Sequence, residues 1–318
     1  MSLDLITVGR ISADLYAQES NQSFTDPQTF RKSIGGSPTN VAVAAARLGL
    51  AAGVVTKVGG DLLAPYVLAK LRSFGVDTSF VGVEPMGQTP VVLAALDSPG
   101  DPSIIFFRGT SAPDTTIDAA AVPRKDIQET GALWISAGAL ATGTTATTCF
   151  DWLELRGRKT HTFIDLDYRP SLWTDSAVAR AAAQRAIELS TIVVGNIAEY
   201  DMAIGQRAPE VIADALLDRG VTLACIKMGG DGVLLATASE RVRVKPLQIQ
   251  LVCGLGAGDA FGGALVYGLN ANLSLPAIGE LANGAGAYVA SRLMCADSMP
   301  ELQALGDFIS VHRKGAPA

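Results

Sequence analysis

The sequence predicts a three-layer α/β domain, with a central, mostly parallel sheet, helices on both of its faces, and a small β lid projecting from it. Three observations predict this. From about Ala132 onward, short apolar runs at 133–136, 162–166, 192–194 and 223–226 alternate with helical segments, the pattern of βαβ units. Glycine is abundant, 33 of 318 residues, as many tight strand-to-helix turns require. A content of 48% apolar and 18% charged residues suits a chain that buries a large core, not a disordered or fibrous one.

The first strand is expected at 4–9. The polar segment 18–28 lacks helical periodicity and reads as an excursion from the core. After Gly35-Gly36, Val41, Ala44, Ala45 and Leu48 recur at helical spacing within 39–48, and Gly49 stands where a C-terminal cap belongs. A strand at 54–58 and a helix at about 63–74, ended by Gly75, follow. The stretch 80–107 is β-rich, and Ser98-Pro99-Gly100-Asp101-Pro102 marks a hairpin turn between 91–96 and 104–107. Residues of about 11–34 and 80–108 are expected to form the lid, within one domain spanning 1–318. Helices at 259–269 and 276–292 dominate the C-terminal third, and the Ala-, Thr- and Gly-rich run 139–148 reads as small-residue packing.

A net charge of −6 excludes a general binder of nucleic acid or anionic membrane and favours a small-molecule partner. Cys149, Cys225, Cys253 and Cys295 lie far apart without a C-x-x-C pair, so reduced thiols and a cytoplasmic location are expected. Asp4 interrupts the N-terminus and the apolar run 5–8 is too short for a secretory signal. The most apolar stretch, 41–55, is broken by Arg47 and falls well short of a membrane span. His161 and His312 show no metal-ligand spacing.

The strongest local motif is Gly254-Leu255-Gly256-Ala257-Gly258-Asp259-Ala260-Phe261-Gly262-Gly263. Glycines let backbone amides approach an anion, and a helix starting here directs its free N–H groups and positive dipole end toward it. Gly256, Ala257 and Gly258 thus make a cradle for a transferring phosphoryl group, and Asp259, in the first helical turn, is placed either to take a proton from an attacking hydroxyl or simply to cap the helix. Neither a G-x-x-x-x-G-K-[ST] loop nor a G-x-G-x-x-G fingerprint is present. A second motif, Gly35-Gly36-Ser37-Pro38-Thr39-Asn40, opens the first helix with exposed amides and an Asn40 amide that could bind a polyol; a plain tight turn is the alternative.

This pair of motifs resembles the two signatures of the ribokinase-like (PfkB) carbohydrate kinases, and the resemblance runs over essentially the whole chain. It implies a ribokinase-like fold, ATP and Mg²⁺ as cofactors, a sugar or sugar acid held between lid and sheet, ATP along the C-terminal third, and pairing of two copies through the lid. It assigns the role of base to Asp259. Asp14, in Gly9-Arg10-Ile11-Ser12-Ala13-Asp14, matches the position that binds sugar hydroxyls, beside Gly35, Gly36 and Asn40. Asn196-Ile197-Ala198-Glu199 is similar to the family's N-x-x-E element near the phosphates, which implies Glu199 near Mg²⁺ through water and no direct side-chain metal ligand. Lys227-Met228-Gly229-Gly230-Asp231-Gly232 resembles the glycine turn beside the ATP phosphates, and Asn283 and Ala287 match adenine-pocket positions. Three stretches, 36–40, 165–173 and 291–300, narrow the resemblance to members acting on keto sugar acids. Arg169 and Arg108 are the expected partners of such a carboxylate. The family usually reads D-T-x-G-A-G-D where this chain has Cys253-Gly254-Leu255, which counts against K⁺ activation. A kinase for a neutral sugar and a noncatalytic sugar-binding protein are the rival expectations.

Overall fold

In a computed structural model, which describes residues 2–109 and 111–314, thirteen strands and ten helices organise around two sheets. The strands are β1 (Leu5–Val8), β2 (Ser12–Ser20), β3 (Phe30–Gly35), β4 (Ala52–Gly59), β5 (Val81–Glu84), β6 (Val91–Leu96), β7 (Ile104–Phe107), β8 (Ala132–Ser136), β9 (Thr162–Asp165), β10 (Ile192–Asn196), β11 (Leu223–Lys227), β12 (Val233–Ala236) and β13 (Arg241–Val244). The helices are α1 (Ser37–Arg47), α2 (Ala64–Ser73), α3 (Arg124–Glu129), α4 (Gly143–Arg156), α5 (Ser176–Leu189), α6 (Ile197–Ile204), α7 (Pro209–Leu217), α8 (Ala257–Asn270), α9 (Leu275–Ala290) and α10 (Leu302–Lys314).

The main sheet has nine strands in the order β13-β12-β11-β10-β9-β8-β1-β4-β5. Seven of them, β11 to β5 in that order, run parallel, and β12 and β13 extend the edge as an antiparallel hairpin. Alternate side chains feed opposite layers, as a strand's period of two demands. Leu133 and Ile135 join the core beneath α3 to α7, whereas Trp134 between them joins the core beneath α1, α2, α8, α9 and α10. Burial on both faces explains why these strands read as continuous apolar runs. On the second face α8 lies close to α1 and the sheet. A Cβ on Gly262 would stand 2.7 Å from the Trp134 ring and one on Gly263 2.4 Å from the Ala44 Cβ, so glycine is what allows the approach.

The second sheet has four strands, ordered β3-β2-β6-β7, and stands over the C-terminal ends of the parallel strands. The segment 80–108 does not belong wholly to it, contrary to expectation: Val81–Glu84 pair in parallel with Thr56–Gly59 and close the edge of the main sheet. In β5 Val81 and Val83 alternate with Gly82 and Glu84, but Val83 is exposed, so the pattern assigns the strand to neither sheet, and its place follows from pairing with the edge of β4. No helix among the described residues is long and apolar enough to cross a membrane, and all four cysteines are free and buried.

Candidate active site

A cleft lies between the lid and the C-terminal ends of the parallel strands, the side on which open α/β sheets bind ligands. Its roof is one face of the lid: Asp14 and Tyr16 from β2, Val92 and Ala94 from β6, Ile104 and Phe106 from β7, each pair two residues apart. Its floor comprises Gly36, Ser37 and Asn40 at the start of α1, Asp167 and Arg169 after β9, and Gly256 and Asp259 at the start of α8. A separate hollow at the opposite ends of the strands is lined by Asp77, Asp126 and Glu129 without any basic residue, and offers nothing to a phosphate.

Gly256 takes φ +79° as the residue before α8, and a Cβ there would press within 2.7 Å of the Cys295 Sγ. No side chain caps α8; the Ala257 N–H makes a long, 3.4 Å bond to Gly254 O, and the N–H groups of Gly258 and Asp259 remain available to an anion. Asp259 is therefore not a helix cap. Its Oδ1 accepts from the Ser37 hydroxyl and its Oδ2 from the Asn40 amide, both at 2.8 Å, joining the two motifs across more than 200 residues of chain. Burial pushes the Asp259 carboxyl above the usual range, the charge of Asp167 adds to the shift, and the bonds from Asn40 and Ser37 with the Lys227 charge oppose it. The Asn40 Oδ1 is buried without a partner, an acceptor held at the cleft.

On the lid side, Arg10 Nη1 donates to Ser12 Oγ at 2.9 Å, and Ser12 donates in turn to Asp14 Oδ1 at 2.6 Å. The Tyr16 hydroxyl donates to Asp14 Oδ2 at 3.2 Å and approaches the Cys295 Sγ at 2.9 Å. Burial raises the Asp14 carboxyl against the opposing charge of Arg10 and those two hydrogen bonds. Gly35 makes room for this carboxylate, since a Cβ there would overlap the Asp14 Oδ2 at 1.9 Å. Arg169 borders the cleft half-exposed, its Nε and Nη2 both 3.1 Å from Asp167 Oδ1. Arg108 does not line the cleft, and its guanidinium is paired at 2.6 Å with the buried Asp114, which lies in the 3₁₀ turn at Pro113–Thr115.

Beyond the floor, the ammonium of Lys227 at the end of β11 stands 3.7 Å from Asp165 Oδ1 and 3.2 Å from where a Cβ on Gly258 would be. A cation thus sits beside the N-terminus of α8. Burial opposes its charge, but Asp165, then Glu199, Asp167 and Asp259, outweigh that effect and raise its pKa, so the ammonium persists. Burial pushes Asp165 up to about 8 despite Lys227, with Asp167, Glu199 and Asp259 adding repulsion. Asn196 and Glu199 form a capping box at α6, Asn196 N–H donating to Glu199 Oε2 at 2.7 Å and Glu199 N–H to Asn196 Oδ1 at 3.0 Å. Gly229, Gly230 and Gly232 turn the chain from β11 to β12; Gly232 has φ +86° and lies against Val244 O. Asn283 and Ala287 do not line the cleft: both lie on α9, where the Asn283 amide donates to Lys245 O at 2.9 Å and Ala287 is half-buried. Their helix touches the start of α8, since a Cβ on Gly286 would be 3.1 Å from Ala257 O. Among the described residues no three His, Cys, Asp or Glu side chains converge to hold a metal.

Sequence reasoning missed Arg10, Ser12, Tyr16, Ser37, Asp165 and Cys295 as cleft or near-cleft groups. For Ser12 and Asp14 a signal existed: polar residues at 12 and 14, shortly after a buried parallel strand and preceded by a polar Arg10, share one face of the next strand.

A helix N-terminus open to phosphate, beside a buried carboxylate in a polar cleft under a β lid, defines a kinase of small polar molecules. The chain belongs to the family described as pfkB family carbohydrate kinase, which matches residues 2–302, and it is an ATP-dependent sugar kinase. It is 32% identical over 314 residues to "5-dehydro-2-deoxygluconokinase 1" of Bacillus cereus, covering 96% of this chain and 94% of that one. It is 31% identical over 314 residues to a 5-dehydro-2-deoxygluconokinase of Bacillus anthracis, with the same coverage. The fold is that of a candidate ribokinase II from E. coli in complex with ATP and Mg²⁺, with a TM-score of 0.88, 22% identity, and 98% of this chain and 100% of that one covered. It is also that of a double-mutant fructokinase from Vibrio cholerae O395 holding fructose, ADP and a potassium ion, with a TM-score of 0.85, 24% identity, and 97% and 99% covered.

Proposed function

We propose that this kinase transfers the γ-phosphoryl group of ATP to the 6-hydroxyl of 5-dehydro-2-deoxy-D-gluconate, a step of inositol catabolism, with Asp259 as the base. The observation that carries the chemistry is the placement of Asp259: a buried carboxylate held on both oxygens, at the uncapped start of α8 and beside the Lys227 ammonium. The relatives' name supports the choice of substrate.

In this reading Asp14 and the unpartnered Asn40 Oδ1 accept from sugar hydroxyls, and Ser37 and Asn40 aim Asp259 at the hydroxyl that attacks. The raised pKa improves Asp259 as a proton acceptor while leaving it able to ionise. The N–H groups of Gly258 and Asp259, with Lys227, stabilise charge on the transferring group. The buried Asp165 Oδ1, which has no hydrogen-bond partner, and Glu199 fit a hydrated Mg²⁺ that would neutralise phosphate charge. Arg169 is placed to meet a substrate carboxylate beside Asp167. Ile105 and Phe107, partly exposed on the lid face away from the cleft, support pairing of two copies through the lid, which sedimentation would test.

The test is a panel assay of ADP release with sugars and sugar acids, the product's phosphate position read by ³¹P NMR. The highest kcat/KM for 5-dehydro-2-deoxygluconate with phosphate on the 6-hydroxyl is expected. A higher value for 2-keto-3-deoxygluconate, fructose or ribose would overturn the assignment.

A further inference from the structure

We infer that Arg10 holds the substrate's carboxylate and makes the cleft select a sugar acid over a neutral sugar. The inference rests on the keto-acid reading above. The cleft is lined by three carboxylates, Asp14, Asp167 and Asp259, and two guanidinium groups, Arg10 and Arg169. An anionic substrate entering so acidic a site needs a cation that is not already neutralised. Arg108 is engaged by Asp114, and both donors that Arg169 extends to Asp167 fall on one oxygen of that carboxylate. Among the described residues no carboxylate lies within ion-pair distance of Arg10, whose one side-chain hydrogen bond is from Nη1 to the Ser12 hydroxyl. The rest of its donor fork is left for a planar, two-oxygen acceptor.

The surroundings hold that fork in place. Thr39 Oγ1 donates to Arg10 O at 3.0 Å, and Gly36, at φ +107°, lets α1 begin so close that a Cβ would stand 2.2 Å from the same carbonyl. The glycine pair therefore does more than expose amides: it clamps the backbone of Arg10. The guanidinium lies 5.2 Å from the Phe106 ring centroid, an apolar roof that strips water from it and strengthens its hold on a carboxylate. Through Ser12 it is tied to Asp14, so the groups for carboxylate and hydroxyls form one hydrogen-bonded chain, Arg10 to Ser12 to Asp14.

Arg10→Gln and Arg10→Lys test this, with steady-state constants for 5-dehydro-2-deoxygluconate, fructose and ATP, and melting temperature as a check on folding. In Arg10→Gln the KM for the acid should rise by about 10- to 100-fold, with kcat changed less than about threefold and the KM for ATP unmoved, the pattern of a lost charge-assisted binding contact. The KM for fructose should rise less than that for the acid, by no more than the loosening of Ser12 and Asp14 costs. Arg10→Lys keeps the charge but not the fork, so it should recover part of the loss, and it carries the test if the Gln variant is unstable. A wild type selective for the acid whose selectivity survives in both variants overturns the role of Arg10 alone. A wild type without preference for the acid overturns the keto-acid reading, and the role of Arg10 with it.

Discussion

Replacing Asp259 with Asn separates a base from a merely structural carboxylate, because the structure predicts opposite effects on turnover and stability. One oxygen becomes an NH₂. Placed toward Ser37, it meets a hydroxyl that can accept as well as donate, while the remaining oxygen still accepts from Asn40. The two contacts survive with less charge assistance, a loss of about 1 kcal/mol. Against this stands the cost of an ionised carboxylate in a site that raises its pKa by burial and by the charge of Asp167. A carboxyl whose pKa is raised on folding favours the folded state below that raised value and weakens it above, so removing the charge relieves the fold at neutral pH. Melting temperature at pH 7 should be unchanged or slightly higher. Turnover should fall about 10²- to 10⁴-fold, the contribution of a positioned base, or about 2.7 to 5.4 kcal/mol of barrier. In the wild type the acid limb of kcat/KM should lie above the ordinary Asp value, since activity is lost as pH falls through the raised pKa. The assays are coupled ADP release, calorimetry for the sugar acid and differential scanning. A kcat within threefold of wild type would refute Asp259 as base, whatever the melt shows.

Arg169→Ala should raise the KM for the sugar acid only about tenfold, because its charge is shared with Asp167 and half exposed; an equal change toward fructose would remove its role at the carboxylate. Lys227→Met should lower kcat by about 10²-fold, whereas stability at pH 7 should drop by less than an unpaired buried charge would cost, because Asp165, already pushed up to about 8 by burial, takes up a proton. Adding Asp165→Asn should restore the melting temperature but not kcat, and restoration of both would exclude Lys227 from phosphate chemistry. Exchange of K⁺ for Na⁺ should alter kcat less than about tenfold, since Cys253, Gly254 and Leu255 provide no side-chain oxygen for a hard cation; strong K⁺ dependence in steady-state rates would point to a site built from backbone carbonyls.

Local rules in the sequence determined α1, α2, α8 and α9, six of the seven parallel strands of the main sheet, and the placement of Asp259. The helix expected at 39–48 spans Ser37–Arg47, that at 259–269 spans Ala257–Asn270, and the apolar runs from 133 to 226 are the parallel strands. Periodicity and glycine punctuation are short-range signals, and an Asp following a glycine run must fall in the first turn of the helix that run opens. What tertiary structure alone decided is which partner each charge meets. Arg108 and Arg10 look alike in the sequence, each beside a glycine near a strand end, but Arg108 folds back onto Asp114 while Arg10 faces the cleft. Ser37 and Asn40 reach Asp259 only because α1 and α8 pack together through Gly263 against Ala44. The edge strand β5 joined the main sheet because the free backbone groups of β4 were within reach, a pairing that no residue pattern within Val81–Glu84 encodes. Charges and strand edges interact through space, between segments that the chain brings together only when its core closes, so local patterns cannot rank their possible partners.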